Sequence, residues 1–95
     1  MLNSKQRAYL RGLANKENSI IQIGKAGITE SVINQIDEAL EARELVKITV
    51  LETSPVEARK VGNEIAQTAS AEVVQVIGRK FILYRAAKEP VIILP

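Results

Sequence analysis

The sequence predicts an α/β domain of the two-layer α+β kind, with element order α-β-α-β-α-β-β and a mixed four-stranded sheet. Three observations predict it. Stretches of helical period alternate with short apolar runs, and strand–helix–strand units favour parallel neighbours joined by right-handed crossovers. The last two apolar runs flank Gly78-Arg79, which makes them an antiparallel hairpin. The chain has 95 residues, 46% apolar and 25% charged, which suits one small globular domain and excludes a disordered chain.

Asn3 is placed to cap a first helix, with Gln6 at the return position of a capping box. That helix runs to about Ala14, with Gln6, Tyr9, Leu10 and Leu13 on one side. Gly12 inside it costs about 1 kcal/mol relative to alanine. After the polar break Asn15–Asn18, the run Ser19 to Ile23 reads as a buried strand, and Gly24-Lys25-Ala26-Gly27 as a loop. Thr29 caps the second helix, and Ile28 with Ile33 fit a hydrophobic staple. Val32, Ile33, Ile36, Ala39 and Leu40 share an arc of about 120°, which packs inward. Glu30, Asp37, Glu38 and Glu41 fall opposite and form a solvated acidic face.

Val46 to Leu51 alternates apolar and polar residues, as a half-buried strand does. Ser54, Pro55 and Glu57 give three agreeing start signals for a third helix: a capping serine, proline at the first helical position and glutamate at the capping-box return. This helix runs to about Ala69, with Val61, Ile65 and Ala69 at helical spacing and Gly62 weakening it slightly. Val73 to Ile77 and Phe81 to Tyr84 close the sheet around a type II′ turn, Gly78 being first in the loop. Alternation puts Phe81 and Leu83 on one face and Ile82 and Tyr84 on the other. The domain spans 1–88, and 89–95 is an apolar tail, PVIILP at its end, expected to pack on its own domain or fray.

Composition removes whole classes of chemistry. Without cysteine there is no disulfide framework, thiol nucleophile or thiolate zinc site. Without histidine there is no neutral-pH proton shuttle, Ser-His dyad or imidazole metal site. No catalytic residue, metal ligand or cofactor is expected, and the chain is not read as an enzyme. No apolar run approaches a membrane span and the N-terminus lacks the apolar middle of a signal peptide, so the expectation is a soluble cytoplasmic protein without a membrane partner, a monomer being favoured.

The net charge of +2 is mild, but it is unevenly distributed. Residues 1–16 hold Lys5, Arg7, Arg11 and Lys16 and no acid; residues 78–88 hold Arg79, Lys80, Arg85 and Lys88 and no acid; the middle is acidic. Basic ends around an acidic centre suggest a dipolar surface with one face suited to an anion.

Gly24-Lys25-Ala26-Gly27 is the most informative motif. It lies between a strand and a helix, and its glycines permit a tight turn with no Cβ in the way. A phosphate can then approach main-chain N–H groups at the helix start, with Lys25 adding a mobile positive charge. A GxxG loop of this kind clamps the nucleotide backbone in KH-type RNA-binding modules. The bare pattern arises by chance in roughly four chains in ten of this length at ordinary glycine usage, and its plain alternative is a turn joining strand to helix. It lacks the third glycine of a dinucleotide fingerprint and the ending of a P-loop. Lys5, Arg7 and Arg11 on the first helix, with Arg79 and Arg85 at the last hairpin, read either as solvated surface or as phosphate contacts.

Taken together, LNSKQRAYLRGLA, IIQIGKAGITESVINQIDEALEARELVKI and AEVVQVIGRKFILYR resemble the CRM domain family (chloroplast RNA splicing and ribosome maturation), in particular its stand-alone bacterial YhbY-like members. The resemblance runs from about Leu2 to Arg85. It implies a fold similar to the C-terminal domain of translation initiation factor three. It also implies RNA binding, in bacterial members on precursors of the large ribosomal subunit. By that resemblance Gly24, Lys25, Ala26 and Gly27 contact RNA together with Lys5, Arg7 and Arg11, and with Arg79 and Arg85 of the matching final hairpin. The expected partner is ribosomal RNA or a pre-ribosomal particle. The competing reading is a protein-interaction module that uses the basic face or the apolar tail.

Overall fold

The structure, a computed structural model, describes residues 2–95; Met1, first residue of the expected 1–88 domain, lies outside them. The elements are α1 (Ser4–Ala14), β1 (Ile21–Ile23), α2 (Glu30–Arg43), β2 (Leu45–Val50), α3 (Ala58–Thr68), β3 (Glu72–Ile77) and β4 (Lys80–Tyr84). The four-stranded sheet has the order β1-β2-β4-β3. β1 runs parallel to β2, and β4 is antiparallel to both β2 and β3. No helix among the described residues is long and apolar enough to cross a membrane.

Local chemistry explains most element boundaries. The capping box is complete: Gln6 N–H donates to Asn3 Oδ1 at 2.8 Å and Asn3 N–H donates to Gln6 Oε1 at 3.1 Å. Val32 N–H donates to Thr29 Oγ1 at 3.1 Å, which caps α2. β1 is shorter than the expected 19–23 run, though Ile20 N–H still reaches Lys47 O at 3.3 Å. In the hairpin Ile77 faces Lys80, leaving Gly78-Arg79 as the loop. Gly78 takes φ +57 while Arg79 keeps a negative φ, the combination a type II′ turn requires.

One start signal misleads. α3 begins at Ala58 rather than at Pro55; its cap is Glu57, which makes no side-chain capping bond. Ser54 closes a turn instead, its N–H donating to Leu51 O at 2.9 Å, and its Oγ is buried without a partner. Serine and proline serve a turn as well as a helix start. Here residues 51–57 fold over the Gly24–Gly27 bend: a Cβ built on Gly27 would lie 3.9 Å from Val56 Cγ1 and 4.0 Å from Pro55 Cγ.

The sheet separates two cores, with helices on both faces, so the domain has three layers rather than the expected two. On one face Phe81 and Leu83 pack with Ile36 and Leu40 of α2 and Val61 and Ile65 of α3. On the other, Ile82 and Tyr84 pack with Leu10 and Ala14 of α1. β4 is therefore buried on both sides, which explains its nearly continuous apolar sequence. The end of the chain joins the second core: Ile92 and Leu94 pack inward, while Val91 and Ile93 stay 78% and 85% exposed.

The tail is held by Glu44, the residue between α2 and β2. Its backbone turns at φ +66, the residue is only 1% exposed, and its carboxylate accepts three N–H groups, one just before the tail and two within it. These come from Ala87 at 2.8 Å, Val91 at 2.8 Å and Ile92 at 2.7 Å. Burial pushes this carboxyl pKa up, but the three donors outweigh it and hold it below the ordinary carboxylate value.

Candidate nucleic-acid interface

Topology gathers one group of the expected site residues at one end of the sheet. β1 and β2 end together, Ile23 facing Val50, so Gly24–Gly27 leaves the sheet beside the loop that follows β2. The β3–β4 turn reaches the same end, where Val50 N–H donates to Arg79 O at 2.7 Å. Ligands of open α/β sheets gather at the carboxyl ends of parallel strands, which is this end of the β1–β2 pair.

Gly24-Lys25-Ala26-Gly27 is a four-residue turn closed by Gly27 N–H donating to Gly24 O at 2.9 Å. Gly27 takes φ +69 and is buried against Pro55 and Val56, so a side chain there would strain the backbone. Lys25 and Ala26 form the exposed tip. Their amides donate to no protein group among the described residues, and Lys25 makes no salt bridge there. The tip of the turn thus carries free donors. It does not directly adjoin the helix start, as the motif's expected place before a helix would have it: α2 begins at Glu30, beyond Ile28 and its own cap Thr29. Arg79 lines a cleft of about 410 Å³ shared with Glu52, Ser54 and Glu57.

A family model for the CRS1/YhbY (CRM) domain matches residues 2–85. The chain belongs to that family. A Bacillus subtilis relative, probable RNA-binding protein YqeI, is 39% identical over 94% of this chain and 93% of its own length. A Haemophilus influenzae RNA-binding protein is 36% identical over 99% of this chain and 95% of its own. The solution structure of SAV1595 from Staphylococcus aureus covers all of both chains (100% each) at 46% identity with a TM-score of 0.74.

The remaining expected residues of this CRM domain do not join the turn. Leu2 N–H donates to Glu72 Oε1 at 2.9 Å, which anchors the start of α1 at the opposite end of β3. β3 is about 17 Å long at the usual rise per strand residue, so Lys5 and Arg7 lie well away from the Gly24–Gly27 turn. Lys5 is exposed there, while Arg7 is half-buried and its Nη1 donates to Val73 O of the edge strand. Arg11 is half-buried in the last turn of α1.

Arg85 is committed to the fold. Its Nη1 donates to Asp37 Oδ1 at 2.7 Å and to Ala69 O at 2.9 Å, its Nη2 donates to Asp37 O at 3.1 Å, and Glu41 Oε1 lies 3.7 Å away. The acidic face of α2 is exposed as expected, and two of its residues also serve the fold: Asp37 and Glu41 hold Arg85, and Glu41 accepts the Lys88 N–H at 2.9 Å. Glu44 was not singled out by sequence, because nothing local distinguishes it from its acidic neighbours. Phe81 is fully buried and Tyr84 nearly so, which makes both core residues.

Proposed function

We propose that this CRM domain binds RNA, and that its target is ribosomal RNA in large-subunit precursors during ribosome assembly in the cytoplasm. The observation that carries the reading is the exposed Lys25-Ala26 tip, whose amides and cation have no partner among the described residues, in a chain that belongs to the CRM family. Relatives described as RNA-binding proteins match nearly its whole length and support the RNA-binding part of this reading.

The tip amides hold a phosphate and Lys25 neutralises it. Arg79 extends the track on the same end of the sheet, and Lys5 and Arg11 supply more distant contacts along α1. Arg7 and Arg85 contribute by positioning backbone and helices rather than by touching RNA, since their guanidinium groups already have protein partners. The protein works as a binding module.

A gel-shift titration with a large-subunit ribosomal RNA fragment at several salt concentrations tests this. With three to five phosphates contacted, log affinity falls against log salt with a slope of roughly −2 to −4. Gly27→Asp is a poor probe because it strains a positive-φ, buried position. Ala26→Asp places the repelling charge on the exposed tip and leaves the turn intact. A loss of about tenfold or more is expected from one reversed contact; unchanged affinity would end the clamp. Co-sedimentation with precursor particles on a sucrose gradient tests the ribosomal target.

A further inference from the structure

We infer that the uncovered half of the sheet, on the side that carries α1, is a docking surface for the bases of single-stranded RNA running on from the Lys25 turn. The inference rests on the RNA-binding reading and extends it to a second surface.

Register defines the surface. Gln22 of β1 faces Thr49 of β2, Thr49 faces Lys80 of β4, and Lys80 faces Ile77 of β3. Their neighbours Ile21, Ile23, Ile48, Val50 and Phe81 fill the core under α2 and α3, so this row points to the α1 side. α1 and the tail cover only the other half of that side, over Leu45, Val74, Ile82 and Tyr84. Gln22, Lys80 and Ile77 are exposed, and Thr49 is half-buried with its hydroxyl 2.6 Å from Ser19 Oγ. Four strands at the usual spacing make the row about 14 Å wide, enough for two or three bases.

The chemistry matches bases and phosphates. Two exposed large apolar residues belong to this surface: Ile77 at 54%, which ends the row on β3, and Ile20 at 43%, beside β1. They offer apolar contact to base faces, and Gln22 offers a donor and an acceptor to base edges. The strands carry two cations on this side, Lys80 and half-buried Lys47. Their one acid, Glu72, lies at the far end and accepts Leu2 N–H. β1 leads from Gln22 into Gly24-Lys25, so the surface is continuous with the proposed phosphate clamp. An A-form duplex keeps its base faces stacked and cannot use such a surface, whereas a single strand can.

The test titrates the isotope-labelled full chain with a mixed-sequence RNA single strand of about 12 nucleotides, and separately with that strand annealed to its complement. The single strand is expected to shift the amides of Gln22, Thr49, Ile77 and Lys80 together with Lys25. The double variant Gln22→Ala/Lys80→Ala, at two exposed positions, is expected to lose about tenfold in affinity for the single strand and little for the duplex. Shifts confined to Lys25, Ala26 and Arg79 would overturn the sheet surface and leave the clamp standing. Shifts of the row that follow protein concentration without RNA would reassign it to self-association and overturn the inference. Absence of any shift with either RNA would remove both the surface and the RNA reading.

Discussion

Glu44 Oε1 accepts the Ile92 N–H at 2.7 Å across 48 residues of sequence. This bond, with those from Val91 and Ala87, converts an apolar tail into a strap over the α1 face of the sheet. A carboxylate is suited to the task because it only accepts, and three backbone donors converge on it. Glu44→Gln retains the shape but turns one oxygen into an NH2 group that faces a backbone donor. Loss of about 2 kcal/mol is expected in urea denaturation, from weakened charge-assisted bonds and an unmatched donor. Faster amide exchange at Val91 and Ile92 in Glu44→Gln, with the amides of β2 and β4 unchanged, locates the loss in the strap.

The same carboxylate gives the fold a pH dependence. The pKa of Glu44 in the folded protein lies below its unfolded value, so its stabilisation is full above the unfolded pKa. It is lost as pH falls through the folded pKa. The stability difference between the native chain and Glu44→Gln should therefore shrink on acidification within the carboxylate range and vanish below it. At the alkaline end Tyr84 acts in the opposite sense. Burial first, then the charges of Glu44 and Glu72, raise its phenol above the ordinary tyrosine value. Its contribution is full below the unfolded pKa and lost as pH rises through the folded one. Urea midpoints measured across pH check both limbs.

Gly62 sits in the middle of α3, where alanine would gain about 1 kcal/mol of helix propensity. A Cβ at that position would lie 3.2 Å from Phe81 Cγ and Cδ2, and Phe81 is fully buried between α3 and the sheet. The ring would have to give by a few tenths of an ångström within a packed core, and overpacking is expected to outweigh propensity. Gly62→Ala is expected to lower stability by about 1–2 kcal/mol net. A rise in thermal midpoint would show that the ring can yield.

Much of this architecture was legible because its determinants are local. Asn3 with Gln6, Thr29 before Val32, and Gly78 in the hairpin each specify backbone geometry within three or four residues. Alternation from Phe81 to Tyr84 assigned both faces of β4 correctly. Ser54 misled because a turn and a helix start draw on the same residues, and packing of residues 55–56 on Gly27 decided between them. Glu44 and Arg85 were illegible for a different reason. Their partners lie 43 to 48 residues away for Glu44 and 16 to 48 for Arg85, so only the fold shows that one acid of a run is buried and one arginine is spent. The four residues of the turn were visible as a motif, but which of their amides remain free was not.

Two cations with similar local sequence signals separate under mutation. Arg85 is 20% exposed, bridges α2 to the end of α3 through Asp37 and Ala69 O, and follows β4 at the end of the sheet opposite the Gly78-Arg79 turn. Arg85→Gln removes a charge-assisted bond to a partly exposed carboxylate and a bond to a backbone carbonyl. About 1–2 kcal/mol of stability is expected to go, the ion pair contributing the smaller part because Asp37 is largely solvated. Lys25→Gln removes no contact to a partner among the described residues and should leave stability within about 0.5 kcal/mol. For RNA the order reverses: Lys25→Gln reduces the steepness of the salt dependence by about one unit, and Arg85→Gln leaves it unchanged. Urea titration and salt-dependent RNA affinity on the same two variants make the comparison. Equal slopes for Lys25→Gln and the native chain would remove Lys25 from the phosphate track.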